Sequence, residues 1–437
     1  MKNLTTLNLN QSAAVDMRQE IDLKIGASFT RFQTLNFGKY ANTKHPLLSY
    51  GPCQFPTLGF VVERWKESNS FISENFYSLK FSKRVKTGVG NKTKAIKFEW
   101  VKERIYDREE VNKTYTQILE LKTGVVEKVE KEVKYNKRPQ PINTISLQKT
   151  MSQLFMIDSK KTMEVAESLY NMGLISYPRT ETTKFDKNSG LRNLVNVQLN
   201  NPLVKDFVEK LSNGELWGGP NNGILDDKAH PPIHPVSLPR ESIVLTQTQE
   251  KMYNYIVRHF LACLSKDAVY EEARYLVKVG NETFAANGKN LTTPNYLEVY
   301  TDRGFVSTPI PDMEEGTKFK ISGLKLEESV TKAPPMLSES ALITKMDQNG
   351  IGTDATIHEH INKIKYRGYA IKEFNQFKPT PIGLHLIESY TKLGLKLEKP
   401  DLRAEMERDM KAIERGEASR DESKSDDYTN TNTYSGR

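Results

Sequence analysis

The 437-residue sequence predicts an α+β multidomain protein, and three observations carry that expectation. Apolar residues recur three or four apart in some stretches and two apart in others, the periods of amphipathic helices and of half-buried strands. These stretches come in blocks, helical, strand-like, helical, strand-like and helical again, whereas an α/β fold would interleave single strands with single helices. The length suggests about three domains, and an apolar content of 37% is enough to give each a core.

Over 12–37, Val15, Ile21, Ile25, Phe29 and Phe32 fall mostly three or four apart, which predicts a helix with one buried face. A second helix is expected over 56–67, with 52–57 as its entry loop. Tyr77, Leu79 and Phe81 then alternate with polar residues, as do Ile96, Phe98 and Trp100, the pattern of a half-exposed antiparallel sheet. A strand-like segment over 123–135 ends at the breaker Lys137-Arg138-Pro139-Gln140-Pro141, a domain boundary. Helical spacing resumes at Asn143 through Leu147, Met151 and Leu154, continues through Val165, Leu169 and Met172, and stops at Gly173. These two helices form a helix-turn-helix-like platform.

A further helix is expected over 246–262. A strand through Tyr275, Val277 and Val279 then runs into the turn signal Gly280-Asn281, and helices return over 338–393. The order implies nesting. Segments 1–66 and 335–416 make one helical body, 67–140 and 241–334 a β-rich arm, and 141–240 an inserted helical domain. The tail 417–437, rich in Ser, Asp, Thr and Asn, is expected to be disordered.

A formal charge of +8 favours a polyanionic partner without naming it. Cys53 and Cys263 are too far apart in sequence for a disulfide framework or a zinc module, and point to a reducing intracellular compartment. Neither a signal-peptide core nor a run of about 20 apolar residues is present, so a soluble protein is expected. The sequence has no Gly-x-x-x-x-Gly-Lys-Ser/Thr loop for ATP phosphates.

The run Gly173-Leu174-Ile175-Ser176-Tyr177-Pro178-Arg179-Thr180-Glu181-Thr182 places a phenol, a guanidinium and a carboxylate within five residues. Pro178 biases Tyr177 towards extended backbone, so the phenol projects at a helix end. A phenol is a weak nucleophile at neutral pH and needs a cation to stabilise both the phenolate and a five-coordinate phosphorus; Arg179 supplies one. Taken alone, Tyr-Pro-Arg equally describes a turn with a solvated arginine. His230 and His234 flank Pro231-Pro232-Ile233; the prolines exclude the helix that would aim both rings at one metal, so no metal site is expected. Gly350-Ile351-Gly352-Thr353-Asp354-Ala355-Thr356 opens a helical pattern, where backbone N–H groups form an anion site or simply an ordinary N-cap. Lys128, Lys131, Lys134, Lys137 and Arg138 lie among Glu127, Glu130 and Glu132, which fits a solvated strand face as well as a nucleic-acid surface.

Together these segments carry a resemblance. ISYPRTET closely resembles the active-site motif of type IA DNA topoisomerases, in particular the topoisomerase III branch. RQEIDLKIGASFTRFQTL at 18–35, SYGPCQFPTLGFVVERW at 49–65, DKAHPPIHP at 227–235, GIGTDAT at 350–356 and IKYRGY at 364–369 match in the same order, and the likeness covers about 10–415. It implies a toroid core with nested helical, β-arm and tyrosine-bearing domains, and ATP-independent cleavage, passage and rejoining of single strands through a 5′-phosphotyrosine. It implies Tyr177, Arg179 and His230 as catalytic residues. Arg18, Arg31, Gln54, Thr180, Glu181, His234, Gly350, Gly352, Thr356 and Arg367 become DNA-binding candidates, with Asp227 and Lys228 orienting the His230 loop.

The family's Mg²⁺ is held by acidic residues of an N-terminal Toprim domain, whose Asp-x-Asp motif has no counterpart in this sequence; activity of this chain by itself is therefore in question. A RecQ-family helicase, a small OB-fold protein and a nuclear site are implied by the same route. The alternative, from a different class, is a catalytically idle single-strand-binding or scaffolding protein. A tyrosine recombinase fits poorly, since its dispersed Arg-His-Arg set precedes a tyrosine near the C-terminus.

Overall fold

The computed structural model describes residues 6–40, 47–86, 93–187 and 189–418. The tail expected to be disordered lies, from residue 419 onward, outside the described residues. In chain order the helices are α1 (Leu9–Phe37), α2 (Gln54–Asn69), α3 (Arg108–Leu121), α4 (Thr144–Phe155), α5 (Ser159–Asn171), α6 (Leu191–Val197), α7 (Lys205–Ser212), α8 (Gln247–Leu264), α9 (Glu339–Gln348), α10 (Ile357–Tyr366), α11 (Pro381–Lys392) and α12 (Asp401–Glu414). The strands are β1 (Asn75–Lys86), β2 (Thr93–Trp100), β3 (Thr123–Asn136), β4 (Ala268–Val279), β5 (Glu282–Thr293), β6 (Lys318–Lys320), β7 (Ser322–Val330), β8 (Ala370–Glu373) and β9 (Gln376–Pro379).

The chain divides into two compact units: the first is Met1–Ser70, Thr144–Val165 and Pro334–Arg437, the second Phe71–Asn143 and Ala166–Ala333. In the first, α2 lies at the centre of an apolar core. Phe55, Leu58, Val61 and Val62 pack with Leu342, Ile343 and Met346 of α9, Ile357, Ile361 and Ile364 of α10, and Tyr390 of α11. Gly59 is needed for this close packing, because a Cβ there would lie 2.2 Å from the Glu398 carbonyl oxygen. Helix α2 starts at Gln54, ahead of the expected residue 56; Pro56 sits in its first turn, where a missing N–H costs nothing.

Helix α1 packs its Ala14, Met17 and Ile21 against Met406, Met410 and Ile413 of α12. This corrects the phase expected for its N-terminal half. Met17 is buried, while Val15 and Phe32 are exposed, because the stripe facing α12 begins one residue earlier, at Ala14. Arg403 of α12 reaches back to Asp22 at 2.6 Å and also pairs with Glu407, which Arg18 contacts as well. α12 and the β8–β9 hairpin were not anticipated: each hairpin strand has only four residues, too few to establish a period of two.

The second unit is built on a seven-stranded antiparallel sheet of order β6-β3-β4-β5-β2-β1-β7. Strands from both expected arm segments therefore share one sheet. Its buried face alternates as the sequence suggests: Tyr77, Leu79 and Phe81 on β1, Ile96, Phe98 and Trp100 on β2, Tyr275, Val277 and Val279 on β4. Val111 and Ile118 of α3 join that core. The helix was not anticipated, since most of its residues are polar, but Asp107 caps it by accepting from the Glu109 and Glu110 N–H groups.

The basic run on β3 is paired locally. Lys128 meets Glu130, Lys131 meets Asp312, Lys134 meets Glu132 and Glu272, and Lys137 and Arg138 both meet Asp267. These pairs make it a balanced strand face.

Phe98 is fully buried, stacked on Phe81 with centroids 4.9 Å apart and tilted against Phe319 at 5.8 Å. Phe98→Ala is expected to destabilise the sheet unit by about 3–5 kcal/mol, read as a lower urea midpoint for the transition of that unit.

Candidate active site

Helix α5 ends where Gly173 adopts φ +74°, a left-handed conformation that an L side chain would strain. The Gly173 and Leu174 N–H groups donate to the carbonyls of Tyr170 and Leu169, closing the helix. The chain then runs extended into the tyrosine loop, stitched to the segment around residue 235. Ser176 N–H donates to the His234 carbonyl, His234 N–H to Ser176 Oγ, and Ser176 Oγ–H to the Pro232 carbonyl, all within 3.1 Å. Isolated bridges join Ile175 to Pro235 and Ile142 to Ile233. Motifs more than fifty residues apart in sequence thus form one structure.

Tyr177 is half-exposed between two rings, Tyr170 edge-on at 5.3 Å and His230 tilted at 4.9 Å. Arg179 donates from Nε at 2.9 Å and from Nη2 at 2.6 Å to one carboxylate oxygen of Glu167 on α5. A guanidinium carries five N–H donors, so it can keep that carboxylate and still donate to a phosphate. Glu167 is a site residue that sequence reasoning missed; twelve positions separate the partners, and only the reversal of the chain after α5 brings them together.

Asp227 organises both loops. Its Oδ1 accepts from the Ala229 N–H at 2.9 Å and the His230 N–H at 2.8 Å; its Oδ2 accepts from Thr180 Oγ at 3.0 Å. Its own N–H donates to Thr182 Oγ at 3.0 Å. His230 Nδ1 lies 3.8 Å from Oδ2. Burial pushes the Asp227 carboxyl up, but these N–H and O–H donors outweigh burial and hold it down to about 2. The neighbouring Asp226 is held low by Lys228 and Lys184, each 2.9 Å away.

The remaining expected residues divide in two. In the second unit, Glu181, four residues after Tyr177, is exposed, whereas Thr180 is 1% exposed and holds the loop through Asp227. His234, also expected as a DNA contact, is buried. Its ring is buried against Phe185 and Phe260, Nδ1 lies 2.7 Å from the Pro232 carbonyl, and burial lowers its pKa. It anchors the loop that carries His230.

In the first unit, Arg31 is exposed, Arg18 pairs with Glu407, and Arg367 caps the C-terminal end of α10. Gln54 is buried, with Nε2 on the Ser49 carbonyl. Gly350 and Gly352 both take positive φ and lead to Thr356, the N-cap of α10. The expected backbone anion cradle is largely used up by the loop itself. The N–H groups of Thr356 and Ile357 donate to the Thr353 carbonyl, those of Glu359 and His360 to the Thr356 carbonyl, and that of Thr353 to Thr356 Oγ.

Among the described residues no group of three or more His, Cys, Asp or Glu side chains is arranged to hold a metal ion. Near the tyrosine loop Asp226 is committed to lysines, Asp227 to N–H and O–H donors and Glu167 to Arg179. The described residues thus do not fit the Mg²⁺ expected from the resemblance. No described helix is long and apolar enough to cross a membrane.

The tyrosine loop thus sets a phenol beside an imidazole and carries a guanidinium two residues on, in the unit built on the long antiparallel sheet. A family model for DNA topoisomerase matches residues 6–424, and the chain belongs to the type IA DNA topoisomerase family. Its relatives place it in the topoisomerase III branch. It is 40% identical over 426 residues to DNA topoisomerase 3-alpha of Arabidopsis thaliana, covering 95% of this chain and 45% of that protein. With the human DNA topoisomerase 3-alpha it shares 39% over 417 residues, covering 94% and 40%. With DNA topoisomerase 3 of Schizosaccharomyces pombe it shares 38% over 421 residues, covering 94% and 67%. The chain thus spans about half the length of the first two. In fold it resembles the full-length topoisomerase I of Thermotoga maritima, with a TM-score of 0.78 at 24% identity over 99% of this chain and 70% of that one.

Asp227→Asn should loosen both loops, because an amide cannot accept as strongly from the Ala229 and His230 N–H groups; their hydrogen exchange is expected to rise on the order of 10-fold. The wild-type carboxyl is depressed from the ordinary 3.9 or so to about 2. Its contribution is therefore complete above about pH 4 and lost as the pH falls towards 2, and the exchange difference between wild type and variant should vanish over that window.

Proposed function

We propose that this chain is the strand-cleaving core of a topoisomerase III-type enzyme. Tyr177 attacks a single-stranded DNA phosphodiester and forms a 5′-phosphotyrosyl bond, releasing a 3′ hydroxyl. Arg179, held by Glu167, donates to the phosphate oxygens as negative charge builds at phosphorus. His230, beside the phenol ring, donates to the same phosphate. The phosphotyrosyl bond conserves the energy of the broken diester, so rejoining needs no nucleotide. The observation that carries this reading is the convergence of Tyr177, Arg179 and His230 on loops fixed by the single carboxylate of Asp227.

The finer parts of the reading belong here too. Segment 141–240 acts as the tyrosine-bearing domain, carried by the β-rich arm of 67–140 and 241–334, with 1–66 and 335–416 as the body. Arg18, Arg31, Gln54, Thr180, Glu181, His234, Gly350, Gly352, Thr356 and Arg367 serve DNA binding, the buried ones among them by shaping the loops that carry the exposed ones. Mg²⁺ acts together with acidic groups outside the residues described. A RecQ-family helicase and a small OB-fold protein are its partners, and the nucleus is its site, in keeping with its eukaryotic relatives.

The test is covalent capture: 3′-labelled single-stranded DNA and Mg²⁺, then denaturation. Tyr177→Phe should abolish labelled protein while leaving the Kd for the strand unchanged within about twofold, since no phosphate counter-charge is lost. Arg179→Ala should lower the cleavage rate by roughly 10²–10³-fold, the usual cost of removing a transition-state donor. Loss of strand affinity in step with cleavage would contradict the assignment. No adduct with binding intact would instead favour a scaffolding role.

Strand affinity should also fall with salt at a log–log slope of about −3 or steeper, as expected when four or more phosphates are neutralised on a single strand. A flat response would remove phosphate neutralisation from the account.

A further inference from the structure

The β8–β9 hairpin carries a side chain that folding does not explain. Its two-residue turn is Phe374-Asn375, at φ +46° and +63°. Such a mirror-image turn requires positive φ at both central positions, which suits Asn-Gly, whereas a bulky residue there crowds its own backbone. The Phe374 ring is 97% exposed and meets no other aromatic ring or cation among the described residues.

The hairpin that carries it is fixed. Phe377 is fully buried in the core of the first unit, and its N–H donates to the Leu337 carbonyl at 2.8 Å. Asn375 Nδ2 donates to the Ser152 carbonyl at 3.2 Å, and Ser152 Oγ–H donates to Asn375 Oδ1 at 3.3 Å. These contacts hold a strained turn in place and leave its ring in water, an arrangement that lowers stability and calls for another reason.

The neighbouring surface is basic and aromatic. Ile371, Lys372 and Asn375 of the hairpin line a cavity of about 520 Å³ together with Lys365 of α10, so the hairpin and the last turn of that helix border one hollow. Tyr366, the last residue of α10, is 64% exposed, and the Arg367 guanidinium lies over its ring, 5.8 Å from the centroid. Lys365 is taken up by Asp158 at 2.8 Å, but Lys363 and Arg367 enter no ion pair among the described residues. Exposed rings among unpaired cations suit single-stranded nucleic acid, whose bases stack on the rings while its phosphates meet the cations. An apolar protein partner would instead leave those cations desolvated and uncompensated.

We propose that Phe374 is a base-stacking platform, which extends the strand-binding surface of Arg367 onto the β8–β9 hairpin and grips the bound strand at a base as well as at its phosphates. This rests on the function proposed above. Phe374 acts on affinity for the strand and not on the chemical step.

The experiment measures binding by the full chain carrying Tyr177→Phe, so that no adduct intrudes. The probes are a fluorescein-labelled oligodeoxynucleotide and a strand of equal length made of abasic residues. Phe374→Ala should raise the Kd for the normal strand by about 5–100-fold and Phe374→Leu by nearly as much, whereas Phe374→Trp should bind at least as tightly as the unsubstituted chain. On the abasic strand all of them should bind alike, because the phosphate contacts remain and no base is left to stack. Phe374→Gly separates binding from folding. It relieves the turn, so its urea midpoint should equal or exceed that of the unsubstituted chain while its affinity falls as in Phe374→Ala.

Full affinity in Phe374→Ala or Phe374→Leu, an equal loss on the abasic strand, or a lower urea midpoint in Phe374→Gly would overturn the platform. So would self-association of the chain that Phe374→Ala abolishes, the mark of a second copy seated on this surface. If the unsubstituted chain holds no strand, the function proposed above falls and the platform with it; if it binds and Phe374→Ala binds equally, the platform alone falls.

Discussion

The Asp227 carboxylate is the constraint on which the site depends. Through one side chain it fixes the N–H groups that start the His230 loop and the Thr180 hydroxyl that follows Arg179. Neither loop has regular secondary structure to hold it. Without a common acceptor, the two would need to order independently, each at an entropy cost of about 1–2 kcal/mol per residue. The low Asp227 pKa is the electrostatic record of those converging donors. One buried imidazole, that of His234 packed on Phe185 and Phe260, reinforces the same loop from behind.

The polar groups of the site divide into those that face solvent and those that position them. Tyr177, His230 and Glu181 retain exposure, while Thr180, Ser176 and His234 are spent on internal hydrogen bonds. Arg179 stands between the classes, tied to Glu167 yet with donors in excess of one carboxylate. Such tethering restricts a long side chain in advance, so less rotamer entropy is left to lose when it binds an anion. At the other end of α5, Glu339 performs the same office for the backbone, capping the helix that delivers the tyrosine.

The sheet and its buried face were legible in the sequence because alternation over Tyr77–Leu79–Phe81 and Ile96–Phe98–Trp100 is a purely local signal, and both triplets lie in the core. Pro178 and Gly173 likewise marked the tyrosine loop through backbone restrictions that act on one or two residues. What was not legible depends on distant partners. Glu167 and Arg179 meet only because the chain turns back after α5. The true stripe of α1 begins at Ala14 because α12, nearly four hundred residues later, sets which face is covered. His234 was expected at the DNA by resemblance alone; that its ring is buried and anchors the loop depends on Phe185 and Phe260, which are distant in sequence. The Gly350–Thr356 segment read equally as an anion site or an ordinary N-cap; the N–H groups of Gly350, Ile351, Thr353 and Thr356 are taken by Asp347, Met346, Thr356 and Thr353. Composition alone cannot distinguish an empty donor from a used one.

The central claim is that Tyr177, among the tyrosines of this chain, is the residue that becomes bonded to DNA. The most direct measurement is tandem mass spectrometry of the denatured protein–DNA adduct after nuclease trimming and proteolysis. The account predicts a 5′-phosphonucleotide on Tyr177, in the peptide that ends at Arg179. A modified tyrosine elsewhere, for example Tyr170, whose ring centroid is 5.3 Å from that of Tyr177, or Tyr366 at the C-terminal end of α10, would contradict it.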